Sequence, residues 1–282
     1  MSKNYLSIYA KSFSWAGFFL PKKIYNKCSV LYDFCRSLDN IADQDLDLYK
    51  KIKQFNEFKD KFLNKNTKDE VINRMQALIV SAKISEKIVH DLFDGVQTDL
   101  KKEVKIKTKK ELFIYSYRVA GTVGLMMAKI LNVTKKNSLK AAIDLGIAMQ
   151  LTNISRDVAE DQQKNRKYID SNFESIKNTL LIADTFYKSS FLSISDIPIS
   201  CRFAILVARR VYRQIGSNIL KKENIENYNK SGKIYVSNLG KFFQTFLSIF
   251  DFLLLLIINT KKHENDEDHQ IINEEINLNE RI

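Results

Sequence analysis

The sequence predicts an all-α, single-domain bundle, and three observations carry that prediction. Among 282 residues there are only 8 Gly and 2 Pro, at Pro21 and Pro198, where average usage would supply roughly three times as many Gly and several times as many Pro. Turn-rich sandwiches, barrels and propellers need those residues, so these folds are disfavoured. Helical periodicity recurs along nearly the whole chain, and no fixed-period repeat or Gly/Ser linker interrupts it. With 45% hydrophobic residues, the chain can bury a large core.

The elements follow in order. Residues 24–43 place Ile24, Cys28, Leu31, Cys35, Leu38 and Ala42 at three- and four-residue steps, the spacing of one helix face. Similar spacing predicts helices over 48–64, 69–82, 85–100, 109–131, 136–161, 171–192, 199–222 and 235–258. Asn and Lys clusters at 64–67 and 135–137 mark connections. The helical domain is expected over 1–260. Residues 261–282 read as an acidic, disordered tail; from His263 onward Glu264, Asp266, Glu267, Asp268, Glu274, Glu275 and Glu280 stand against a single base, Arg281.

Charge and cysteine usage narrow the setting. The net charge of +12 implies an acidic partner, phosphate being the usual one, although an AT-rich genome would enrich Lys by itself. Cys28 and Cys35 lie two helical turns apart, roughly 10 Å, too far to bridge. No apolar leader with a cleavage site opens the chain, so a reducing cytoplasm is expected. Three His, two of them in the tail, disfavour an HExxH zinc site or a Ser–His–Asp triad. No GxGxxG or GxxxxGK[ST] occurs. Residues 101–110, KKEVKIKTKK, read as a solvated loop or as a basic surface for anionic lipid. Residues 242–258, FFQTFLSIFDFLLLLII, are short for a span and broken by Asp251. They read as a last bundle helix or a helix in the membrane interface, so peripheral contact with the inner face of the cytoplasmic membrane is expected.

The chemistry concentrates in two segments. Asp39 and Asp43 follow Arg36, and Asp157 and Asp161 follow Arg156. Positions i and i+4 share a helix face, where two carboxylates repel and so are unfavourable as mere structure. Two such pairs facing each other across a bundle would make an oxygen-rich site for a hard cation such as Mg²⁺. On one continuous helix Gln150, Asn153, Asp157 and Asp161 form a polar stripe at i, i+3, i+7 and i+11. A polar stripe pointing inward implies a lined cavity.

These residues resemble the squalene/phytoene synthase family of head-to-head prenyl transferases. The carrying segments are KSFSWAGFFLP (11–21), LYDFCRSLDNIAD (31–43), YSYRVAGTVG (115–124), QLTNISRDVAEDQQKNRKY (150–168) and ARRVYRQIG (208–216), the last most like bacterial phytoene synthases. The resemblance implies packed helices around a large central cavity. It also implies condensation of two prenyl diphosphates through a cyclopropylcarbinyl diphosphate; for a phytoene synthase both are geranylgeranyl diphosphate. Asp39, Asp43, Asp157 and Asp161, with Asn153, would hold Mg²⁺ (Mn²⁺ as a substitute), and no NADPH is expected. Arg36, Arg156 and Arg166 would bind diphosphate oxygens, assisted at matched family positions by Ser12, Tyr212 and Lys233. Phe13, Tyr32 and Tyr115 are the aromatic candidates for shielding the allylic cation, and Gln150 and Asn153 would orient water or ligands. Two departures stand out: Lys233 occupies an Arg position, losing the planar fork, and Asn40 replaces an acid in the first motif.

The rival within the class makes squalene or dehydrosqualene from farnesyl diphosphate. A non-catalytic assembly factor of the same fold would show degraded aspartate motifs, and both are intact here. A nucleic-acid binder, suggested by charge alone, lacks any reader motif. Oligomeric state is not legible.

Overall fold

The computed structural model describes residues 11–65, 68–258, 263 and 265–282, with the backbone alone at 11–13 and 266. In order, the helices are α1 (Lys11–Gly17), α2 (Lys22–Asp43), α3 (Leu48–Asn64), α4 (Glu70–Ala82), α5 (Glu86–Thr98), α6 (Lys109–Ser116), α7 (Thr122–Ile130), α8 (Lys136–Arg156), α9 (Val158–Gln163), α10 (Phe173–Phe191), α11 (Ile199–Leu220), α12 (Ile225–Lys230), α13 (Asn238–Ile257) and α14 (Asp266–Asn273). Both prolines stand immediately before a helix, Pro21 before α2 and Pro198 before α11. There a fixed φ starts the helix and no ladder hydrogen bond is lost. Asp47, Asp69, Thr108, Asn172 and Ser237 cap α3, α4, α6, α10 and α13 through their side chains.

Helix α8 is the axis of the bundle, packed by α7, α10 and α11. Its crossing with α7 and with the turn that precedes it is made by glycine. A Cβ on Gly146 would lie 2.2 Å from the Ala120 carbonyl oxygen, and one on Gly124 2.2 Å from that of Ala142. Backbone meets backbone at both points, so no side chain can yield. Gly146→Ala is therefore expected to force the helices apart at a cost of about 1–3 kcal/mol, read as a lowered midpoint in thermal unfolding. An unchanged midpoint would show that the crossing adjusts freely.

Two of the expected continuous helices are broken, and the first break serves the cavity. The segment 109–131 contains a π-helical turn, Tyr117–Gly121, between α6 and α7. It places Val119 and Ala120 on the cavity wall, as such turns often do at functional sites. The segment 136–161 bends at Asp157 (φ −105°, ψ 13°), where α8 ends. Asp157 N–H still donates to the Asn153 carbonyl and Asp161 N–H to that of Asp157, so the polar stripe survives the bend. A two-residue parallel pair, β1 (Val104–Lys105) with β2 (Arg166–Lys167), fastens the chain just after the second aspartate motif.

The C-terminal tail departs from expectation. Instead of disorder, 266–282 form α14 and a 3-10 turn at Leu278–Glu280, with Ile272, Ile276 and Leu278 buried. Arg281 makes a bidentate pair with buried Asp91 at 3.0 and 3.1 Å. The acids face bases on the body: Asp268 with Lys109, Glu274 with Lys110, Glu275 with Arg118, and Glu280 with Lys87. The charge count suggested a solvated tail because it ignored the isoleucine spacing and the basic ground beneath. Two lysines of the 101–110 run are engaged here.

Helix α13 is inside out. It buries Lys241, Gln244, Ser248 and Asp251, the last paired with Arg210 at 2.7 Å, besides Leu255. Phe242, Phe243, Phe246, Phe250, Leu253 and Ile257 face outward. It is long and apolar enough to cross a membrane, yet its polar face is bound to the bundle.

Candidate active site

A cavity of about 310 Å³ runs beside α8. Its lining on that helix passes from Ser138 through Ala142, Gly146 and Met149 to Gln150 and Asn153, roughly 22 Å at 1.5 Å per residue. The deep end is aliphatic. At the other end Tyr32, Asp39, Gln150, Asn153 and Tyr212 come together on the wall. Five residues named from sequence thus share one end of one cavity, contributed by α2, α8 and α11.

The two aspartate motifs converge on this end. Arg166, from β2, is buried and donates to Asp43 Oδ1 at 2.7 Å and to the carbonyls of Ala42 (3.2 Å) and Asp99 (3.3 Å). Lys164 lies 3.3 Å from Asp43 and 3.6 Å from Glu160, bridging first and second motifs. Asp39 is exposed to the cavity, yet desolvation by the surrounding walls raises its carboxyl to about 7, with Asp43 adding to the rise and Arg36 opposing it. Burial likewise raises Asp161 to about 7, with Asp157 adding to it. Burial pushes Asp43 up as well, but Arg166 and Lys164 outweigh it and hold it below the usual range.

Asp157 is held differently from the other three. Arg156 Nε and Nη2 grip its two oxygens at 2.8 and 2.6 Å, and Lys233 Nζ stands 3.3 Å away while bonding Glu160 at 2.6 Å. Lys233 thus reaches the second motif even without an arginine fork. Tyr228 from α12 ties the end of α8, donating toward the carbonyl of Arg156 at 2.7 Å. Arg36 lies close enough to act electrostatically on both Asp39 and Tyr32.

Tyr115 is placed elsewhere than expected. Its ring stacks on Tyr168 at 4.7 Å and is not part of the cavity lining. The Tyr168 hydroxyl donates to Asp99 at 2.6 Å, and that of Tyr115 lies 2.9 Å from the same carboxylate. Its position makes it a support for Asp99 rather than a wall for a cation. Ser12 and Phe13 fall in α1 but their side chains lie outside the described residues.

Sequence reasoning missed Asp99, Tyr168 and Lys164. Asp99 acts electrostatically on both Asp39 and Asp161, and burial raises its own carboxyl. Nothing in the sequence marks it: it follows α5 at the C-cap, outside any motif. Tyr168 closes the 150–168 segment, and its place there was the available signal.

Asp39, Asp43, Asp157 and Asp161 offer hard oxygens of the kind Mg²⁺ takes, Asp39 from the cavity wall itself. Asn153 Oδ1 is buried there with no hydrogen-bond partner, an orphaned acceptor that a cation would satisfy.

Comparison with known proteins agrees with this geometry. The sequence model of the squalene/phytoene synthase family matches residues 6–173. A phytoene synthase of Pseudescherichia vulneris is 27% identical over 243 residues, covering 74% of this chain and 78% of its own. A 15-cis-phytoene synthase of Enterobacter agglomerans is 28% identical over 248 residues, covering 77% and 84%. Among solved structures, a dehydrosqualene synthase in complex with ligand superposes with a TM-score of 0.66 at 25% identity, covering 87% of this chain and 93% of that one. The squalene synthase HpnC from Alicyclobacillus acidocaldarius shares the fold at a TM-score of 0.67 and 15% identity, covering 79% and 91%. With Asp39 on the wall of one helical cavity, the second aspartate motif tied to the first through Lys164, and the family model matching residues 6–173, this protein belongs to the squalene/phytoene synthase family of prenyl transferases.

Proposed function

We propose that the protein condenses two molecules of geranylgeranyl diphosphate head to head to phytoene, releasing diphosphate, as a Mg²⁺-dependent phytoene synthase of carotenoid biosynthesis. One observation carries the reading: a single cavity has Asp39, Gln150 and Asn153 at one end, with Arg36 and the Arg166–Asp43 pair close to Asp39, and a long aliphatic remainder. That polarity matches a substrate with an anionic head and a hydrocarbon tail. The phytoene synthases among its relatives favour the C20 substrate.

The chain's residues divide the work. Asp39, Asp43, Asp157, Asp161 and Asn153 Oδ1 would hold Mg²⁺, which supplies Lewis acidity toward the leaving diphosphate. Arg36, Arg156 and Lys233 add positive charge for phosphate oxygens; Arg156 must share or release Asp157 to do so. Tyr32 and Tyr212 line the cavity end, where their aromatic rings would stabilise an allylic cation. Aliphatic walls from Leu31 to Ile205 exclude the water that would quench it as an alcohol. Arg166 and Asp99 fix the two motifs against each other.

The dehydrosqualene synthase likeness favours a second reading, condensation of two farnesyl diphosphates. Offering purified protein the C15 and C20 diphosphates with Mg²⁺, and identifying the hydrocarbon by mass, decides between them. Phytoene from the C20 substrate is expected, and EDTA should abolish it. A C30 product alone would overturn the assignment, and no hydrocarbon from either would favour a non-catalytic role.

The outward face of α13 supports peripheral attachment to a membrane, at the cytoplasmic face where the apolar product must go. Buried Lys241, Gln244 and Asp251 anchor the helix to the bundle, so it would lie in the interface rather than span. Phe242→Glu with Phe246→Glu and Phe250→Glu is expected to release the protein from sedimenting liposomes at least tenfold, with helicity and unfolding midpoint preserved, since about 0.8 kcal/mol attends each buried CH₂. Undiminished co-sedimentation of the triple variant would remove the helix from the membrane contact.

A further inference from the structure

A second cluster of ionisable groups lies on the far side of α8 from the cavity. Asp144 is fully buried and is not among the lining residues, although Ala141, Ala142, Leu145 and Gly146 are. His263 Nε2 stands 2.8 Å from its Oδ2, and His269 Nε2 stands 2.6 Å from its Oδ1. Both imidazoles are buried, with ring centroids 4.6 Å apart. The Ser189 hydroxyl of α10 donates to the same carboxylate. One donor atom from each of the three residues falls within 4.8 Å of the others.

This convergence is costly without a purpose. A carboxylate with no solvent needs compensation inside the protein, and burial alone would raise it. The two imidazoles reverse that effect and hold Asp144 below the usual carboxylate range. The partners come from 119 and 125 residues away, so no local helix geometry explains the meeting. His269 Nδ1 is buried and has no hydrogen-bond partner, so hydrogen bonding within the protein leaves this ring incompletely satisfied.

We propose that Asp144, His263 and His269 form a binding site for a zinc-type divalent cation that fastens the C-terminal segment to the bundle. Two imidazole nitrogens and one carboxylate oxygen suit Zn²⁺, whereas Mg²⁺ demands oxygen. The chain would thus sort two cations by donor chemistry, Mg²⁺ at the aspartate motifs and Zn²⁺ here. Bonds of about 2.0–2.1 Å at tetrahedral angles place donors about 3.3 Å apart. The observed separations of 2.8 and 2.6 Å are those of the hydrogen-bonded, metal-free form. Small rotations of the side chains open the site, and Ser189 Oγ or a water completes four ligands. Closing a loop of more than a hundred residues is where such a clip stabilises most.

The consequence reaches the reaction chamber through packing. The fastened segment pairs Glu275 with Arg118 and Arg281 with Asp91, and Asp91 also accepts from Tyr117 at 2.9 Å. Tyr117 and Arg118 belong to the π-helical turn that carries Val119 and Ala120 on the cavity wall. The zinc clip therefore supports that wall from behind.

The test uses the full chain made without a polyhistidine tag and dialysed against Mg²⁺. Elemental analysis is expected to find about one zinc per chain, and Co²⁺ added to the zinc-free protein should give visible d–d absorption that excess Mg²⁺ does not remove. His269→Ala and Asp144→Asn should lower retained zinc at least tenfold, while Asp157→Ala, in the other cluster, leaves it unchanged. Absence of both retained zinc and a Co²⁺ spectrum in the unsubstituted protein would overturn the site and leave a hydrogen-bonded latch. So would zinc lost equally on Asp157→Ala. The Co²⁺ titration of unsubstituted protein decides the matter even if the variants fail to fold.

Discussion

Asp39→Asn is expected to lower hydrocarbon formation by about 10²–10³-fold or more at saturating Mg²⁺ while leaving the fold as stable as before, or more so. The opposite signs come from one cause. Asp39 is open to the cavity end, but desolvation by the surrounding walls and the neighbouring Asp43 raise its carboxyl to about 7, so without a cation its charge works against folding. The amide keeps the shape and removes the repulsion, and with it the charge that would hold the metal. Turnover of the C20 diphosphate and the thermal midpoint, measured on the same preparation without added metal, check both halves. Full turnover in the variant would remove Asp39 from the metal set; a large fall in midpoint would show that the carboxylate is structural.

Arg166→Met is expected to be the most disruptive single change, acting on stability and activity together. The guanidinium holds Asp43 and the carbonyls of Ala42 and Asp99, and it opposes the repulsion felt by Asp39 and Asp161. Removing one partner of a buried pair costs about 3–5 kcal/mol. Asp43 is 37% exposed, so solvent screening brings the expectation to about 2–3 kcal/mol. That corresponds to a fall of about 4–12 °C in midpoint, with activity lost because the two motifs are no longer clamped. Arg166→Lys should recover part of the stability through its charge but not the three-way contact. A midpoint within a degree of the unsubstituted protein would show that the clamp contributes nothing.

Much of the fold was legible because helices announce themselves locally. The apolar spacing of 24–43 corresponds to α2 within two residues at its start and none at its end, and the spacing of 48–64 coincides with α3. What periodicity could not show was interruption. A π-helical turn at Tyr117–Gly121 and a bend at Asp157 alter the register by a fraction of a turn, which leaves the pattern of apolar residues nearly intact. Helix α13 misleads in another way. Its stripe is regular, but the sequence does not say which side faces in, and the polar side does because Arg210 waits there for Asp251.

The site divides along the same line. Both aspartate pairs were readable, because two like charges one turn apart are unfavourable unless something binds them. Their being opposed across one cavity was an inference from two separate stretches. The structure joins them through Arg166, Lys164 and Asp99, and only the first had been singled out. Asp99 could not be found, since its meaning lies in Tyr115 and Tyr168, contributed by segments 16 and 69 residues away.

The sequence by itself determined the helical class, the long helices that few prolines and glycines permit, and the two acidic motifs with their arginines. All of these depend on neighbours within four residues, which is the range over which spacing along a helix carries information. Tertiary structure alone decided that the acidic tail folds back, that Tyr115 supports Asp99 instead of facing the cavity, and that two distant histidines meet on Asp144. Each of those depends on a buried charge finding its partner across the bundle. Burial, which makes an unpaired charge expensive, is a property of the folded chain and of no segment in it.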